Sequence, residues 1–316
     1  MNVLYVNHAV KACGVYQIGR RIAGFLGGST KHNFIYLEAE SWQQIVDAIN
    51  AHQTKVVIYN YYPATLPFVD FNFTAHLRRH GLAQFGIVHD PMEPAFIQQV
   101  EALFDNWIVH DETNPVVSAK KILTCRPVPR FPSAPPPEKL SFGSHGFGIS
   151  PWKAFDSIVE AINHEFDRAV INMNIGLAAF GDRDGAAAVR WREACRAKVT
   201  KPGIELNITH DFLETEEDMI RFLQKNTVNV YFHRDPPNYT GPAGSADLAI
   251  AAQRALVVNG CYMYRHISTR LGAYGISGSL AAMHQNEDKV AQLYHEWSPE
   301  RIIRDYEGII DRVAVL

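Results

Sequence analysis

The sequence predicts an α/β protein built from two Rossmann-like, doubly wound domains facing each other across a cleft. Three observations carry that expectation. Short apolar β-rich runs alternate with amphipathic helical stretches along the whole chain, which is the signature of parallel sheets covered on both faces. A proline-dense segment, Pro127–Pro137, holds six prolines in eleven residues and interrupts the alternation near the middle. After it the strand–helix pattern starts again.

In the first half, strands are expected at Val3–Val6, Phe34–Leu37, Val56–Tyr59, Phe85–Val88 and Trp107–Val109, with helices such as Val15–Phe25 and Trp42–Ala51 between them. The proline-dense segment fits neither sheet nor helix and reads as a stiff connector of polyproline geometry. In the second half, strands are expected at Ser141–Phe147, Ile171–Ala179, Ile204–Ile208, Val228–Phe232 and Ala255–Val258. Helices are expected at Pro151–His164, Gly185–Lys198, Glu214–Gln224, Ser245–Arg254, Met263–Leu271 and Ser298–Val313. The last opens with a serine cap and a first-turn proline, Ser298-Pro299. The boundaries are a first domain over 1–130, a linker over 131–140, a second domain over 141–300, and a C-terminal helix over 301–316 returning to the first domain.

At 316 residues the chain is long enough for two such cores, and 47% hydrophobic with 20% charged residues is ordinary for a globular protein. The net charge of −3 disfavours nucleic acid as a partner, since neutralising many phosphates calls for a basic chain. Two local basic clusters, Arg20-Arg21 and Arg78-Arg79-His80, are either a dock for a membrane-borne partner at the bilayer surface or a solvated face. Cys13, Cys125, Cys195 and Cys261 form no CxxC pair, which fits a reducing cytoplasm. The N-terminus reads as a strand and not a signal peptide, and no run approaches the roughly 20 apolar residues of a membrane span.

The most informative stretch is Tyr239–Gly260, a small-residue loop, a short helix and a buried strand. Gly241, Gly244, Ser245 and Ala246 leave amides uncovered where the helix begins, a seat for phosphate. The alternative is a loop kept small for packing. A dinucleotide-binding dehydrogenase would place its phosphate loop after the first strand, not here. Gly146–Asp156 gives a second strand–turn–helix, with Ser150 expected as cap, Pro151 as first helical residue and Lys153 as third. A first-turn cation opposes the helix dipole by roughly 0.3–1 kcal/mol, unless an anion sits beside it. Lys153 is therefore an anion ligand or a solvated lysine.

In the first half, Gly14 and Val15 open the helix after strand one and offer a further set of amides. His89 ends a buried strand and faces the expected cleft, as a contact for a reacting sugar or its acceptor. The following Asp90-Pro91-Met92-Glu93 reads as a cap and first helical turn. His110 and Asp111 form a weaker pair of the same kind. Asp182-Arg183-Asp184 reads as a solvated turn, and His233-Arg234-Asp235 as a cleft contact or an Arg234–Asp235 surface pair. No metal-ligand spacing is found, and no metal or cofactor is expected.

On these segments the chain resembles the GT-B glycosyltransferases of the large retaining family that includes sucrose synthases, bacterial mannosyltransferases and lipopolysaccharide glycosyltransferases. Gly146–Ile162 (GFGISPWKAFDSIVEAI) is similar to its "GR…KG…L.EA" segment, with Lys153 at the diphosphate-binding lysine. Tyr239–Asn259 is similar to its "E-G-F-G-x-P-x-x-E-A-M-A-x-G-x-P-V-V" segment, which Cys261–Ile267 continues. Cys13-Gly14-Val15 looks like the glycine loop, and His89 like the donor-sugar or acceptor-side histidine. The chain departs from the pattern at four points. Ile149 stands near the arginine, Thr240 near the first glutamate, Leu248 or Asp247 near the second, and Ala255 at the proline. Asp247 either replaces the ribose-binding carboxylate or only stabilises the helix start.

The resemblance implies an acceptor-side first domain and a nucleotide-binding second domain. It implies transfer of a sugar from a nucleoside-diphosphate sugar, of UDP or GDP type, to a glycan, lipid-linked or other acceptor, without metal and with retention. The sugar nucleotide is a co-substrate, not a cofactor. The contact residues so implied are Gly14, Val15, Lys153, Thr240, Gly241, Gly244, Ser245, Ala246 and Asp247, with His89 and Lys153 at the chemistry. Phage-type modified DNA stays open as an acceptor. A nucleotide-sugar epimerase or hydrolase, and a degenerate module that binds without turnover, are the alternatives.

Overall fold

The computed structural model describes residues 1–11, 13–89, 94–177, 184–211, 213–235 and 241–313. The chain divides into two compact units, Met1–Pro127 with Glu296–Leu316, and Val128–His295. Both are α/β units with parallel sheets.

Unit 1 runs β1 (Asn2–His8), α1 (Gly14–Leu26), β2 (Asn33–Ala39), α2 (Trp42–His52), β3 (Val56–Tyr61), α3 (Phe71–Arg79), β4 (Ala83–Val88), α4 (Pro94–Leu103), β5 (Asn106–Val109) and β6 (Lys121–Leu123). Its six strands lie parallel in the order β2-β1-β3-β4-β5-β6. Every residue of β3 is buried, because helices cover both sheet faces and leave no side for polar residues. In α1 the buried positions Tyr16, Gly19, Ile22 and Leu26 recur every three or four residues, the stripe of a helix lying on a sheet.

Unit 2 runs β7 (Ser141–Phe147), α5 (Phe155–Glu165), β8 (Ala169–Gly176), α6 (Ala186–Arg196), β9 (Ile204–Thr209), α7 (Glu216–Gln224), β10 (Val228–Tyr231), α8 (Ser245–Ala251), β11 (Ala255–Val258), α9 (Arg265–Leu271), α10 (Leu280–Met283) and α11 (Glu287–Glu296). Its strands are parallel in the order β11-β10-β7-β8-β9. Thr215 and Asp218 form a reciprocal capping box at α7.

The last helix, α12 (Pro299–Val313), belongs to unit 1 and packs on α1. Ser298 caps it, its hydroxyl accepting from the Arg301 amide at 3.2 Å. Ser29 reaches Glu307 at 2.6 Å, and the Tyr306 hydroxyl meets His110 Nε2 at 2.9 Å.

The proline-dense segment is fastened along unit 2. Proline rings donate nothing, but their carbonyls still accept. Gln224 donates to the Pro132 carbonyl at 2.7 Å, Gln253 to Phe131 at 2.9 Å, and Arg254 to Ala134 and Pro135 at 2.9 and 2.6 Å.

The expected helix over Pro151–His164 is corrected at its start. Helix α5 begins only at Phe155, with Ala154 preceding it, so Ser150 is not its cap and Lys153 is not in its first turn. The backbone of 152–154 is taken by another partner. Ala154 N–H donates to the Phe232 carbonyl at 3.0 Å, and Arg234 N–H to Trp152 at 2.7 Å.

Candidate functional site

Lys153 forms an isolated antiparallel bridge with His233, just past the end of β10. Its side chain runs over Gly146, near the end of β7, where φ is +156°. A Cβ at Gly146 would overlap the Lys153 ammonium, so the close approach requires glycine twice, for its dihedral and for its bareness.

The groups around that ammonium are neutral. Burial, and secondarily Lys153 itself, pushes His145 and His233 down to about 3. Tyr231, whose hydroxyl burial keeps protonated, is hydrogen-bonded to His145 Nδ1 at 2.5 Å. The Phe155 ring centre lies 6.0 Å from Lys153 Nζ. No carboxylate pairs with Nζ among the described residues. Burial alone lowers Lys153 to about 8, so at neutral pH it is still mostly a cation.

The small-residue loop reaches the same neighbourhood through His233. The His233 ring packs on Tyr264 at 5.0 Å and its Nδ1 lies 3.3 Å from Met263 Sδ. The Met263 carbonyl accepts from Ala243 N–H at 3.0 Å, and the Tyr264 hydroxyl lies beside Ser245. The expected row of uncovered amides is shorter than anticipated. Ala246 N–H turns back to Ala243 at 3.3 Å and Asp247 N–H to Gly244 at 3.2 Å, since a tight first turn satisfies its own donors. Gly244 and Ser245 amides donate to nothing among the described residues. Ala246 and Asp247 are wholly buried. Gly241 is buried at the head of the loop.

The His233-Arg234-Asp235 run separates into three roles. Arg234 clamps both Asp156 oxygens at 3.0 Å, and Asp235 accepts from the Tyr262 amide at 2.8 Å. The alternative of an Arg234–Asp235 pair is thereby replaced. Asp184 accepts from Ala186 N–H at 3.2 Å, a local turn. Thr240, Asp182 and the run Asp90–Glu93 lie outside the described residues.

In unit 1, His89 follows β4 and donates from Nε2 to Asn60 Oδ1 at 2.7 Å. Asn60, near the end of β3, donates in turn to Asn7 Oδ1 at 2.9 Å and to the Val15 carbonyl at 2.8 Å. Asn7, near the end of β1, donates to the Tyr16 carbonyl and the Tyr36 hydroxyl, both at 3.1 Å. The amide chain fixes the His89 tautomer, leaving Nδ1 as its acceptor. Burial first, then neighbouring His110, Arg126 and His8, push His89 down to about 3, so it is neutral at physiological pH. A Cβ at Gly19 of α1 would overlap the Asn60 amide. At Gly14 it would meet nothing within 4 Å, so packing does not demand that glycine. Val15 beside it is half-buried.

His110 is structural. Its Nδ1 pairs with the Cys125 carbonyl and its Nε2 with Tyr306, both at 2.9 Å, while Asp111 closes a turn on Thr113. The basic clusters are partly consumed as well. Arg21 is buried and donates to the Pro127 carbonyl at 3.0 Å, and Arg78 pairs with Asp105 at 2.9 Å.

Sequence reasoning missed His145, Asn7, Asn60 and Gly19. One signal was available for the asparagines: each interrupts an otherwise apolar strand close to its C-terminal end, where ligands of parallel sheets bind.

No family model matches the sequence, and no curated relative does. Solved structures do share the fold. HepE from Anabaena, solved with UDP and glucose, superposes with a TM-score of 0.66 at 11% identity over 100% of both chains. A glycosyltransferase from Rickettsia africae gives 0.64 at 11% identity, covering 99% of this chain and 98% of that one. An alpha-glucosyltransferase, solved with UDP-glucose and DNA containing an abasic site, gives 0.58 at 10% identity over 98% and 99%. The chain therefore has the fold of the GT-B glycosyltransferases.

Proposed function

We propose that the protein is a glycosyltransferase that moves a sugar from a nucleoside-diphosphate sugar to a hydroxyl acceptor, with retention at the anomeric carbon. The single observation that carries this reading is the Lys153 ammonium, half-buried in a neutral frame with no anionic partner among the described residues. Burying an uncompensated cation is expensive, and a diphosphate supplies the missing charge. Charge grows on that diphosphate as the sugar–oxygen bond breaks, so a preplaced cation lowers the barrier where it helps most. The Gly244 and Ser245 amides add donors of the same sign. His89 is neutral and its Nε2 proton is committed to Asn60, so it acts through Nδ1 as an acceptor for a hydroxyl, not as an acid.

The fold shared with enzymes solved with UDP and UDP-glucose supports this donor class. The net charge of −3 favours a glycan or lipid-linked acceptor over DNA. A second reading, binding without turnover, draws on one observation: Asp247 is buried where the resemblance leads one to seek a ribose contact. Incubation with UDP-, GDP- and ADP-sugars separates the two. Release of nucleoside diphosphate coupled to a glycosylated product supports transfer. Binding of a sugar nucleotide with no consumption, across a panel of glycan and lipid acceptors, supports the module.

A further inference from the structure

Three elements that hold Lys153 meet on one indole. Trp191 lies in the middle of α6, half-buried, and its Nε1–H donates to the Gly148 carbonyl at 3.0 Å. Gly148 stands two residues beyond Gly146, in the turn that leaves β7. Its amide donates to the Gly176 carbonyl at 3.1 Å, so hydrogen bonds fix the peptide groups on both sides of it. A Cβ at Gly148 would come within 2.9 Å of Ala188 Cα, which places α6 directly against the turn.

The indole ring makes two further contacts. The ring of Phe155, the first residue of α5, meets it edge-on at 5.6 Å, and Lys153 Nζ lies 6.0 Å from that same phenyl ring. The Arg234 guanidinium carbon sits 5.8 Å from the Trp191 ring centre. Arg234 in turn holds both Asp156 oxygens through its side chain and the Trp152 carbonyl through its amide. The turn after β7, the start of α5 and the segment after β10 thus each reach Trp191 through a residue within two positions of a group that meets Lys153.

Tryptophan alone combines a ring of this size with an N–H that is a donor and nothing else. None of the three contacts is strong by itself, but together they fix the turn, 152–154 and the helix start relative to one another. A cation aimed at a diphosphate loses much of its effect when it is misplaced by about an ångström. We propose that Trp191 is a positioning residue for Lys153, holding its ammonium over Gly146 where it meets the diphosphate. Trp191 acts through the lysine and not on the nucleotide. This assignment rests on the diphosphate role proposed for Lys153, although the positioning itself has a readout without nucleotide.

Trp191→Phe keeps a ring against Phe155 and Arg234 and removes the donor to Gly148, whereas Trp191→Leu removes both. At pH 7 UDP should bind about threefold more weakly to Trp191→Phe and about tenfold more weakly to Trp191→Leu, with uridine unchanged. In a Lys153→Ala background neither substitution should weaken UDP further, because the group they position is gone. Variants that lose stability yet bind UDP as the wild type does, or that weaken UDP equally with and without Lys153, overturn the assignment and leave Trp191 as packing. The readout without nucleotide is the titration of Lys153, followed by carbon-detected NMR of labelled lysine side chains. Burial lowers that group, so its release into water in Trp191→Leu should raise it toward the ordinary lysine range, and an unmoved titration refutes the proposal. If the wild type binds no UDP, the glycosyltransferase reading is contradicted, and the lysine titration still decides whether Trp191 places the ammonium.

Discussion

The ammonium of Lys153 lies directly over the backbone of Gly146, in space that any side chain at 146 would take. The two residues come from the end of β7 and from the bridge that ties 152–154 to 232–234. A cation is thus fixed by a glycine on one side and a strand-like pairing on the other.

Gly146→Ala should therefore act as a lysine mutation made from a distance. The new methyl group forces Lys153 aside and strains a backbone at positive φ, a combined cost of about 1–3 kcal/mol of stability. Nucleotide affinity should fall with it. Differential scanning calorimetry and a UDP titration measure the two losses, and unchanged UDP affinity would show that the cradle has no part in binding.

Lys153→Ala should lower sugar transfer at least tenfold, about 1.4 kcal/mol of transition-state stabilisation, while the protein stays folded. Removing a half-buried cation that lacks a counter-charge should even leave the thermal midpoint level or higher. Transfer at the wild-type rate would take Lys153 out of the mechanism.

The pH dependence has a definite sign. Lys153 is lowered to about 8 in the folded protein from 10.5, so the folded state sheds this proton first. Its unfavourable burial is complete below pH 8, and stability contributed by this group rises between about 8 and 10.5. A bound diphosphate favours the charged form, so UDP affinity should fall as pH climbs through 8, approaching tenfold per unit. In Lys153→Met the fall should vanish. Calorimetric titrations at pH 7, 8 and 9 read it directly, and an equal slope in the variant would assign it to another group.

Gly19→Ala tests unit 1. The added methyl group overlaps Asn60, the residue that holds His89, the Asn7 side chain and the Val15 carbonyl. A loss of about 1–3 kcal/mol is expected from overpacking, with a shifted His89 resonance in NMR spectra. A variant of wild-type stability whose His89 is undisturbed would show that α1 yields without touching the network.

Much of this arrangement was legible locally. The strand Ala255–Val258 stands where its apolar run predicts it, because parallel strands buried on both faces admit few polar residues. The cap and proline at Ser298-Pro299 mark the start of α12 in the same way. Lys153 stood out in the sequence too, but for a reason the structure replaces. Local signals favour a helix from Pro151, whereas pairing with residues some eighty positions later keeps 152–154 out of the helix, and no window of sequence contains that partner. The Asn7–Asn60–His89 chain is hidden for the same reason, since its members lie at the ends of three strands. Gly19 reads as a mid-helix weakness until Asn60 is seen beneath it.

The most direct test of the central claim is a paired titration of UDP and uridine into the wild type and Lys153→Ala at pH 7. If Lys153 holds the diphosphate, UDP binds at least tenfold more weakly to the variant while uridine binds both proteins alike. Equal UDP affinity in the two proteins, with the variant folded, contradicts the assignment of this ammonium to a diphosphate.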